Sequence, residues 1–383
     1  MSTGAGGKNF DVAIVGAGIL GLAHAYWAAS RGHSVIVFER SPQSRGASVR
    51  NFGMIWPIGQ RAGETHQMAL RSSQIWTEVL KDAQLPYHPT GSLHVVYQPD
   101  EAEVAREFCA RGPAHGYSCR WLAPREVLDK SDAVIAAGLI GAIWSETELT
   151  VDPRRIIAEL PRYLSAKFGV QFRFATAVQS IQLPNIVAGG ETWTVAHAIV
   201  CGGDDFETLY PQLLAGSGIT RCKLQMMRTP PQPHGWQLGP ALAAGLTLRF
   251  YPAFEICTES LPRYQARVAR EMPDYERWAI HLLVSQTADG ALTIGDSHEY
   301  GLAVEVFNKD EIDRLILEHA RTFLRAPDLS IAERWYGVYA KHPEAAFVSI
   351  DAAPQVKIVT APGGSGMTLS FGLAEKMIHE MGL

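Results

Sequence analysis

Residues 10–21, FDVAIVGAGILG, decide the fold. The first six form a short apolar run rich in β-branched side chains, the pattern of a strand buried on both faces. Gly16, Gly18 and Gly21 then fall on G-x-G-x-x-G, directly after that strand and opening an alanine- and leucine-rich helix expected over residues 16–30 and ended by Gly32. Gly16 permits the tight turn, Gly18 lets backbone approach a pyrophosphate, and Gly21 lets the helix pack close to the strand. The helix start aims N–H groups and a positive dipole end at that phosphate. Residues 34–38, SVIVF, give a second strand, and Glu39 at its end offers a carboxylate to an adenosine ribose. The fingerprint alone does not separate FAD from NAD.

Two later stretches favour FAD. Arg45–Gly53, RGASVRNFG, follows the second strand where an NAD-binding domain normally enters its next helix, and its small and hydroxyl residues suit close approach to a cofactor. Ala361–Leu369, APGGSGMTL, joins a last strand at residues 356–360 to a last helix expected over 366–381. Three glycines within its four-residue centre exceed what a helix cap requires. A helix N-terminus there stabilises the negative charge that gathers near N1 of a reduced flavin.

The chain has 383 residues, 47% hydrophobic and 19% charged, enough for two domains with a large core. Its formal net charge of -5 lacks the basic footprint of a nucleic-acid binder, so an anionic substrate needs a local cationic pocket. Five scattered cysteines, with no CxxC pair, argue against a disulfide framework or a metal site and fit a reducing cytoplasm. The start, MSTGAGGKNF, has no apolar signal core and reads as a tail before the first strand. No apolar run approaches the roughly 18 residues of a membrane span.

Helices are expected near residues 65–83, 100–111, 124–130 and 153–168, the last started by Asp152-Pro153. Strands are expected at 92–97, 170–174, 177–182, 192–195 and 198–201, and residues 205–300 read as an antiparallel sheet with Pro-rich turns. Asn308 and Glu311 suggest a capping box for a helix to about residue 324. The fold class expected is α/β: a Rossmann-like FAD-binding domain over 8–84, 150–204 and 330–383, interleaved with an antiparallel-sheet substrate domain over 85–149 and 205–329.

These elements resemble the D-amino-acid-oxidase superfamily of flavoenzymes, the glycine and sarcosine oxidase type, over nearly the whole chain. The resemblance rests on the fingerprint, Ser48/Asn51/Gly53, the strand end Ile199-Val200-Cys201-Gly202-Gly203, Arg334-Trp335-Tyr336-Gly337 and the Gly363–Thr368 loop, in that order. It implies FAD held without a covalent link by Gly16, Gly18, Ile19, Leu20, Gly21, Glu39, Arg40, Ser48, Asn51, Gly53, Met54, Val178, Cys201, Gly202, Gly203, Gly337, Gly363, Gly364, Ser365, Gly366, Met367 and Thr368. Monomeric sarcosine oxidases bond flavin through a cysteine after the Arg-Trp region; the matching residue here is Gly337, which has no side chain to bond. More narrowly, Arg50–Pro57, Lys223–Met226 and Arg334–Tyr339 are similar to a bacterial branch found with phosphonate-degradation genes.

The resemblance implies that a small anionic amine lies under the antiparallel sheet and against the flavin. Hydride passes from its α-carbon to flavin N5, the imine hydrolyses, and oxygen or another acceptor takes the electrons. The expected substrate is an aminophosphonate, N-methyl-2-aminoethylphosphonate or 2-aminoethylphosphonate, giving phosphonoacetaldehyde; the alternative is glycine, sarcosine or a D-amino acid. Arg50 is the expected fork for the anionic end, with Tyr339, Lys341, Tyr251 and Arg249 beside it. His281, His298 and His342 are weighed as bases, although a lone histidine is more often structural. Cys201 reads as a small buried hydrophobe. Competing classes are an NAD-dependent dehydrogenase and a flavin-bearing assembly or RNA-modifying factor.

Overall fold

Val12, Ala13 and Ile14 lie wholly out of water, as an apolar strand in the middle of a parallel sheet must. The computed structural model describes residues 8–383; the tail expected before the first strand lies, over residues 1–7, outside the described residues. The fold is mixed α/β, and its contacts divide the chain into two compact units.

Among the described residues the first unit comprises 8–49, 154–221 and 338–383. Its sheet runs in the order Val348–Ala353, Val356–Thr360, Glu191–Val200, Asn9–Val15, Val35–Phe38, Gln171–Arg173. Asn9–Val15 pairs in parallel with both neighbours, Val35–Phe38 with Gln171–Arg173, and Glu191–Val200 with Val356–Thr360. The helix Ile19–Ser30 packs on the helix Gly366–Glu380. Trp27 Nε1 donates to the Phe371 carbonyl at 2.9 Å, and the rings of Tyr26 and Phe371 meet edge-on at 5.5 Å. First and last helices are thereby neighbours in one unit.

The second unit comprises residues 50–153 and 222–337, and the helix Glu64–Asp82 falls in it. Its larger sheet is antiparallel at most edges, with Ala291–Gly295 beside Leu283–Gln286, then Ala241–Ala243, Ser92–Val96, Gly141–Ser145 and Cys119–Leu122. Ala241–Ala243 and Ser92–Val96 run parallel. Leu93, Val95, Met227, Leu242, Val284 and Ile294 are core residues between this sheet and the helix Asp310–Phe323.

Several expected elements differ. Residues 192–195 and 198–201 are one strand, Glu191–Val200, paired with an unanticipated antiparallel strand, Asn185–Ala188. Val348–Ala353 is likewise new. Residues 245–277, expected within the sheet, are helical: short turns at Gly245–Arg249 and Pro252–Ile256, then helices Leu261–Glu271 and Pro273–Arg277. Prolines that read as turn punctuation sit in first turns there, where the missing N–H costs nothing. Asn308 does not cap the following helix. Lys309 stands at the cap, and its N–H donates to Gln225 Oε1 at 2.7 Å. Among the described residues no helix is long and apolar enough to cross a membrane.

Ile14→Ala removes a fully buried side chain from the central strand. We expect a loss of about 2–5 kcal/mol, read as a lower denaturation midpoint in urea with an unchanged slope.

Candidate functional site

The glycine fingerprint is explained atom by atom in the first unit. A Cβ on Gly16, whose φ is +102°, would lie 2.4 Å from the Cys201 carbonyl oxygen. A Cβ on Gly21 would lie 1.9 Å from the Gly16 oxygen. No side chain fits at either position, so strand and helix meet backbone to backbone. Gly18 stands at the helix cap without a capping side chain, and Ser48 Oγ accepts the Ile19 N–H at 2.9 Å. The first-turn N–H groups have no carbonyl acceptor within the helix, the condition for anion binding. Ile19 and Leu20 are buried in the unit.

Glu39 is held at the mouth of the same turn. Its Oε2 accepts the Ala17 N–H at 3.0 Å and its Oε1 the Ser41 N–H at 2.9 Å. A carboxylate has about four acceptor positions, so both oxygens retain capacity for ribose hydroxyls. Arg40 is turned to an ion pair with Asp205 at the surface. Val178 is buried at the start of Val178–Gln182. Cys201 is buried, and burial pushes its thiol up to about 12, so it stays protonated. Thr360 Oγ1 donates to the Gly203 carbonyl at 3.0 Å, tying the end of Val356–Thr360 to the Gly202-Gly203 turn.

The C-terminal glycine turn forms one 3₁₀ turn, Gly363–Ser365, before the helix Gly366–Glu380. Ser365 makes no side-chain cap bond. A Cβ added at Gly364 or Gly366 would approach nothing nearer than 3.5 Å. The chain's own packing therefore does not require glycine at these two positions. Tyr339 and Lys341 border this turn: the Tyr339 hydroxyl is the atom nearest a Gly364 Cβ, and Lys341 bridges to Pro362. Met367 and Thr368 are buried in the helix. Uncrowded backbone at Gly364 and Gly366, two helix N-termini and an anchored carboxylate together fit a dinucleotide cofactor such as FAD.

The remaining expected residues fall in the second unit. Asn51 Oδ1 accepts the Gly53 N–H at 2.7 Å, and Met54 lies in a short strand paired with Leu149–Thr150. Gly53 has φ +70° and a Cβ there would strike the Val151 oxygen at 1.9 Å, which accounts for that glycine by packing alone. Gly337 lies against the Arg50 backbone, its missing Cβ 3.2 Å from the Arg50 oxygen. Arg50 is half-buried and its Nη1 donates to the Tyr336 carbonyl at 3.3 Å. Arg249 is committed: Nη2 donates to the carbonyls of Tyr275 and Ile280, and Nη1 sits 3.2 Å from Glu276.

A buried polar cluster also lies in this unit. His281, Asp296 and His298 are 2%, 4% and 5% exposed. His281 Nε2 is 3.2 Å from Asp296 Oδ1, and His298 Nε2 is 3.9 Å from Asp296 Oδ2. The imidazoles stack at 5.1 Å, and the Phe250 ring lies 4.0 Å from one and 4.4 Å from the other. Tyr251 meets His281 edge-on at 5.4 Å. Burial holds the Asp296 carboxyl well above the usual carboxylate range. Burial, then the Asp296 charge, holds the Tyr251 phenol above its ordinary value. Sequence reading singles out both histidines separately and passes over Asp296. The available signal is the Asp-x-His spacing just past the strand Ala291–Gly295. His342 stands elsewhere, accepting the Glu344 and Ala345 N–H groups.

The DAO family model, FAD dependent oxidoreductase, matches residues 11–380. Glycine oxidase from Bacillus cereus superposes with a TM-score of 0.77 at 17% identity, over 97% of this chain and 95% of that one. L-proline dehydrogenase from P. horikoshii superposes at 0.76, with 17% identity over 98% and 94%. One subunit of the anaerobic glycerol-3-phosphate dehydrogenase of Escherichia coli K12 is 32% identical over 152 residues, 39% of this chain and 28% of that protein. The chain thus matches well under a third of that relative's length.

Gly21→Ala drives a methyl into the Gly16 carbonyl, and we expect protein purified without flavin absorbance. Glu39→Gln keeps the shape and loses the charge. A charge-assisted hydrogen bond contributes about 1.5–3 kcal/mol, so FAD affinity falls roughly ten- to hundredfold in a titration of the stripped protein.

Proposed function

The chain belongs to the DAO family of FAD dependent oxidoreductases, and from that premise we propose that it oxidises a small anionic amine. The supporting observation is the pair of glycine turns in the first unit, one of which has backbone at Gly364 and Gly366 that the chain's own side chains leave uncrowded. Held there without a covalent link, FAD supplies a two-electron acceptor. The first unit is the cofactor domain in this reading, and the antiparallel unit takes the substrate. Two structural relatives are named for glycine and proline, both small amines bearing a carboxylate. One is called an oxidase and the other a dehydrogenase, so oxygen and another acceptor are both compatible with this architecture.

The chain's own residues have separable tasks. Backbone N–H groups at Leu20 and Gly21 and at the start of Gly366–Glu380 neutralise negative charge on the cofactor, while the Ile19 N–H is held by Ser48 Oγ. Glu39 orients the ribose. Arg50 receives the anionic end of the substrate; its guanidinium shares a single 3.3 Å bond with the Tyr336 carbonyl and keeps other N–H donors. Arg249 is spent on Glu276 and two carbonyls and is left out of this role. Tyr339 and Lys341 border the C-terminal turn, Tyr251 the buried histidines.

The narrower substrate we propose is an aminophosphonate, N-methyl-2-aminoethylphosphonate or 2-aminoethylphosphonate, oxidised to phosphonoacetaldehyde. Its support is the resemblance of Arg50–Pro57, Lys223–Met226 and Arg334–Tyr339 to the phosphonate-associated branch. A second reading follows from the glycerol-3-phosphate dehydrogenase match: oxidation of a phosphorylated alcohol.

Anaerobic mixing of the flavin-loaded protein with aminophosphonates, glycine, sarcosine, proline and glycerol 3-phosphate separates these. We expect fastest flavin bleaching with an aminophosphonate. Bleaching by amino acids alone returns the substrate to the amino-acid class, and bleaching by glycerol 3-phosphate alone overturns amine oxidation. Arg50→Ala should raise KM for the anionic substrate about ten- to hundredfold, the loss of one charged hydrogen-bonded pair, with flavin content unchanged. Equal loss of both would assign Arg50 to the cofactor.

A further inference from the structure

Cys109 and Cys119 stand on consecutive elements of the second unit. Cys109 lies in the last turn of the helix Pro99–Arg111, and Cys119 opens the strand Cys119–Leu122 at the edge of the larger sheet. Two observations bring their sulfurs together. Gly112 keeps helical backbone just past that helix, with φ -52° and ψ -45°, and its N–H donates to the Phe108 carbonyl. Residues three apart on a helix share a face, so Gly112 and Cys109 do. A Cβ on Gly112 would lie 3.1 Å from Cys119 Sγ, which seats that sulfur against this face. The two thiols are also hydrogen-bonded to each other. Each side chain thus already points at the other, the orientation a disulfide needs. The intervening turn is held closed: the Tyr117 N–H donates to the Gly112 carbonyl at 3.0 Å, and the Tyr117 ring packs on Phe108 at 5.0 Å.

The two sulfurs are not equivalent. Cys109 sits where the helix carbonyls gather partial negative charge, which disfavours a thiolate. The shared hydrogen bond, then burial, hold its thiol well above the ordinary range. The same bond lowers the Cys119 thiol, against burial and the nearby Glu148. Cys109 is therefore the donor, and Cys119 the sulfur that becomes thiolate, the reactive form. Both are half-buried, and Ser118 and Arg120, which flank Cys119, are exposed. The other titratable groups acting on the pair are Tyr117 and Cys257. Cys257 is buried and its thiol donates to the Val104 carbonyl at 3.6 Å.

We propose that Cys109 and Cys119 are a peroxide-sensitive dithiol, which hydrogen peroxide converts into a reversible disulfide tying the helix end to the edge strand. The Cys119 thiolate attacks one peroxide oxygen, the O–O bond breaks, and hydroxide leaves. Cys119 is then a sulfenic acid, oxidised by the two electrons that the peroxide has gained. The Cys109 sulfur next attacks the Cys119 sulfur. The S–O bond breaks, the S–S bond forms, and the departing oxygen leaves as water with the Cys109 proton. In sum, two thiols and one hydrogen peroxide give one disulfide and two waters. Where oxygen takes the electrons of a reduced flavin, hydrogen peroxide is the product, so turnover of an oxidase supplies this oxidant on the spot.

The test is thiol mapping on the flavin-loaded full chain, reduced, freed of reductant and treated with hydrogen peroxide. Alkylation after denaturation should find two thiols fewer than the five of the untreated chain. Peptide mass mapping should find one link, Cys109 to Cys119, that dithiothreitol removes. In Cys109→Ser, Cys119 should stop at the sulfenic acid and be trapped by dimedone. In Cys119→Ser, Cys109 should be oxidised at least about tenfold more slowly than in the wild type, because the reactive thiolate is gone. A pair left reduced while free cysteine in the same tube is fully oxidised overturns the proposal. So does a link that includes Cys257, or oxidation of Cys109 at the same rate with and without Cys119. Should either variant fail to fold, a time course on the wild type decides. Dimedone captured at Cys119 before the disulfide appears supports the proposal, and capture at Cys109 instead overturns it. The peroxide is added, so the result is independent of whether any amine reduces the flavin.

Discussion

The first unit depends on one close approach. The Gly16 carbonyl and the Gly21 backbone meet where a single methyl would stand 1.9 Å from the oxygen. That contact sets the distance from the strand Asn9–Val15 to the helix Ile19–Ser30. It therefore sets where the helix start presents its N–H groups. Cys201 closes the other side of the turn, its N–H donating to the Val15 carbonyl at 2.8 Å and its oxygen barring a side chain at Gly16. The turn is thus formed by three backbone segments in contact, and its shape leaves no tolerance for side chains.

The chemistry is arranged around where charge can and cannot sit. In the proposed reading, negative charge on a dinucleotide is met by helix ends, and Arg40 is drawn off to Asp205. Glu39 contributes through hydrogen bonds it accepts at short range. In the second unit the pattern reverses. Asp296 is shut away from water with imidazoles instead of a fixed cation beside it, and burial holds its carboxyl well above the usual range. A buried carboxylate paired with arginine would be permanently neutralised; one paired with histidine can change state during a reaction.

The βαβ opening was legible because its evidence is local. Gly16, Gly18 and Gly21, the two apolar strands and Glu39 are adjacent in sequence, and each limits the backbone in a known way. The last glycine turn was legible for the same reason. What was hidden depends on contacts between distant segments. Gly53 resembled a cofactor glycine, yet the Val151 oxygen, far along the chain, is what excludes a side chain there. Ser48 looked like a cofactor hydroxyl and proves to accept the Ile19 N–H. The helices between residues 261 and 277 escaped because their prolines serve equally well in turns and in first helical turns. The full cluster escaped because His281 joins Asp296 and His298 from a separate loop, so the Asp-x-His spacing marks only two of its three members.

The first unit is assembled from three stretches of chain separated by long excursions into the second. The strand Asn9–Val15 is made well before its partners: one neighbour comes from residues near 195 and the next strand out from residues near 358. The helix Ile19–Ser30, apolar on nearly all sides, packs on the strands Asn9–Val15 and Val35–Phe38 but is not fully covered until Gly366–Glu380 is made. The segments near residues 356–380 must therefore be made before this nucleotide-binding layer can close. Until then its alanine-rich helix and bare strand edges are exposed to whatever binds sticky nascent chains, and folding of this unit is a late, long-range event.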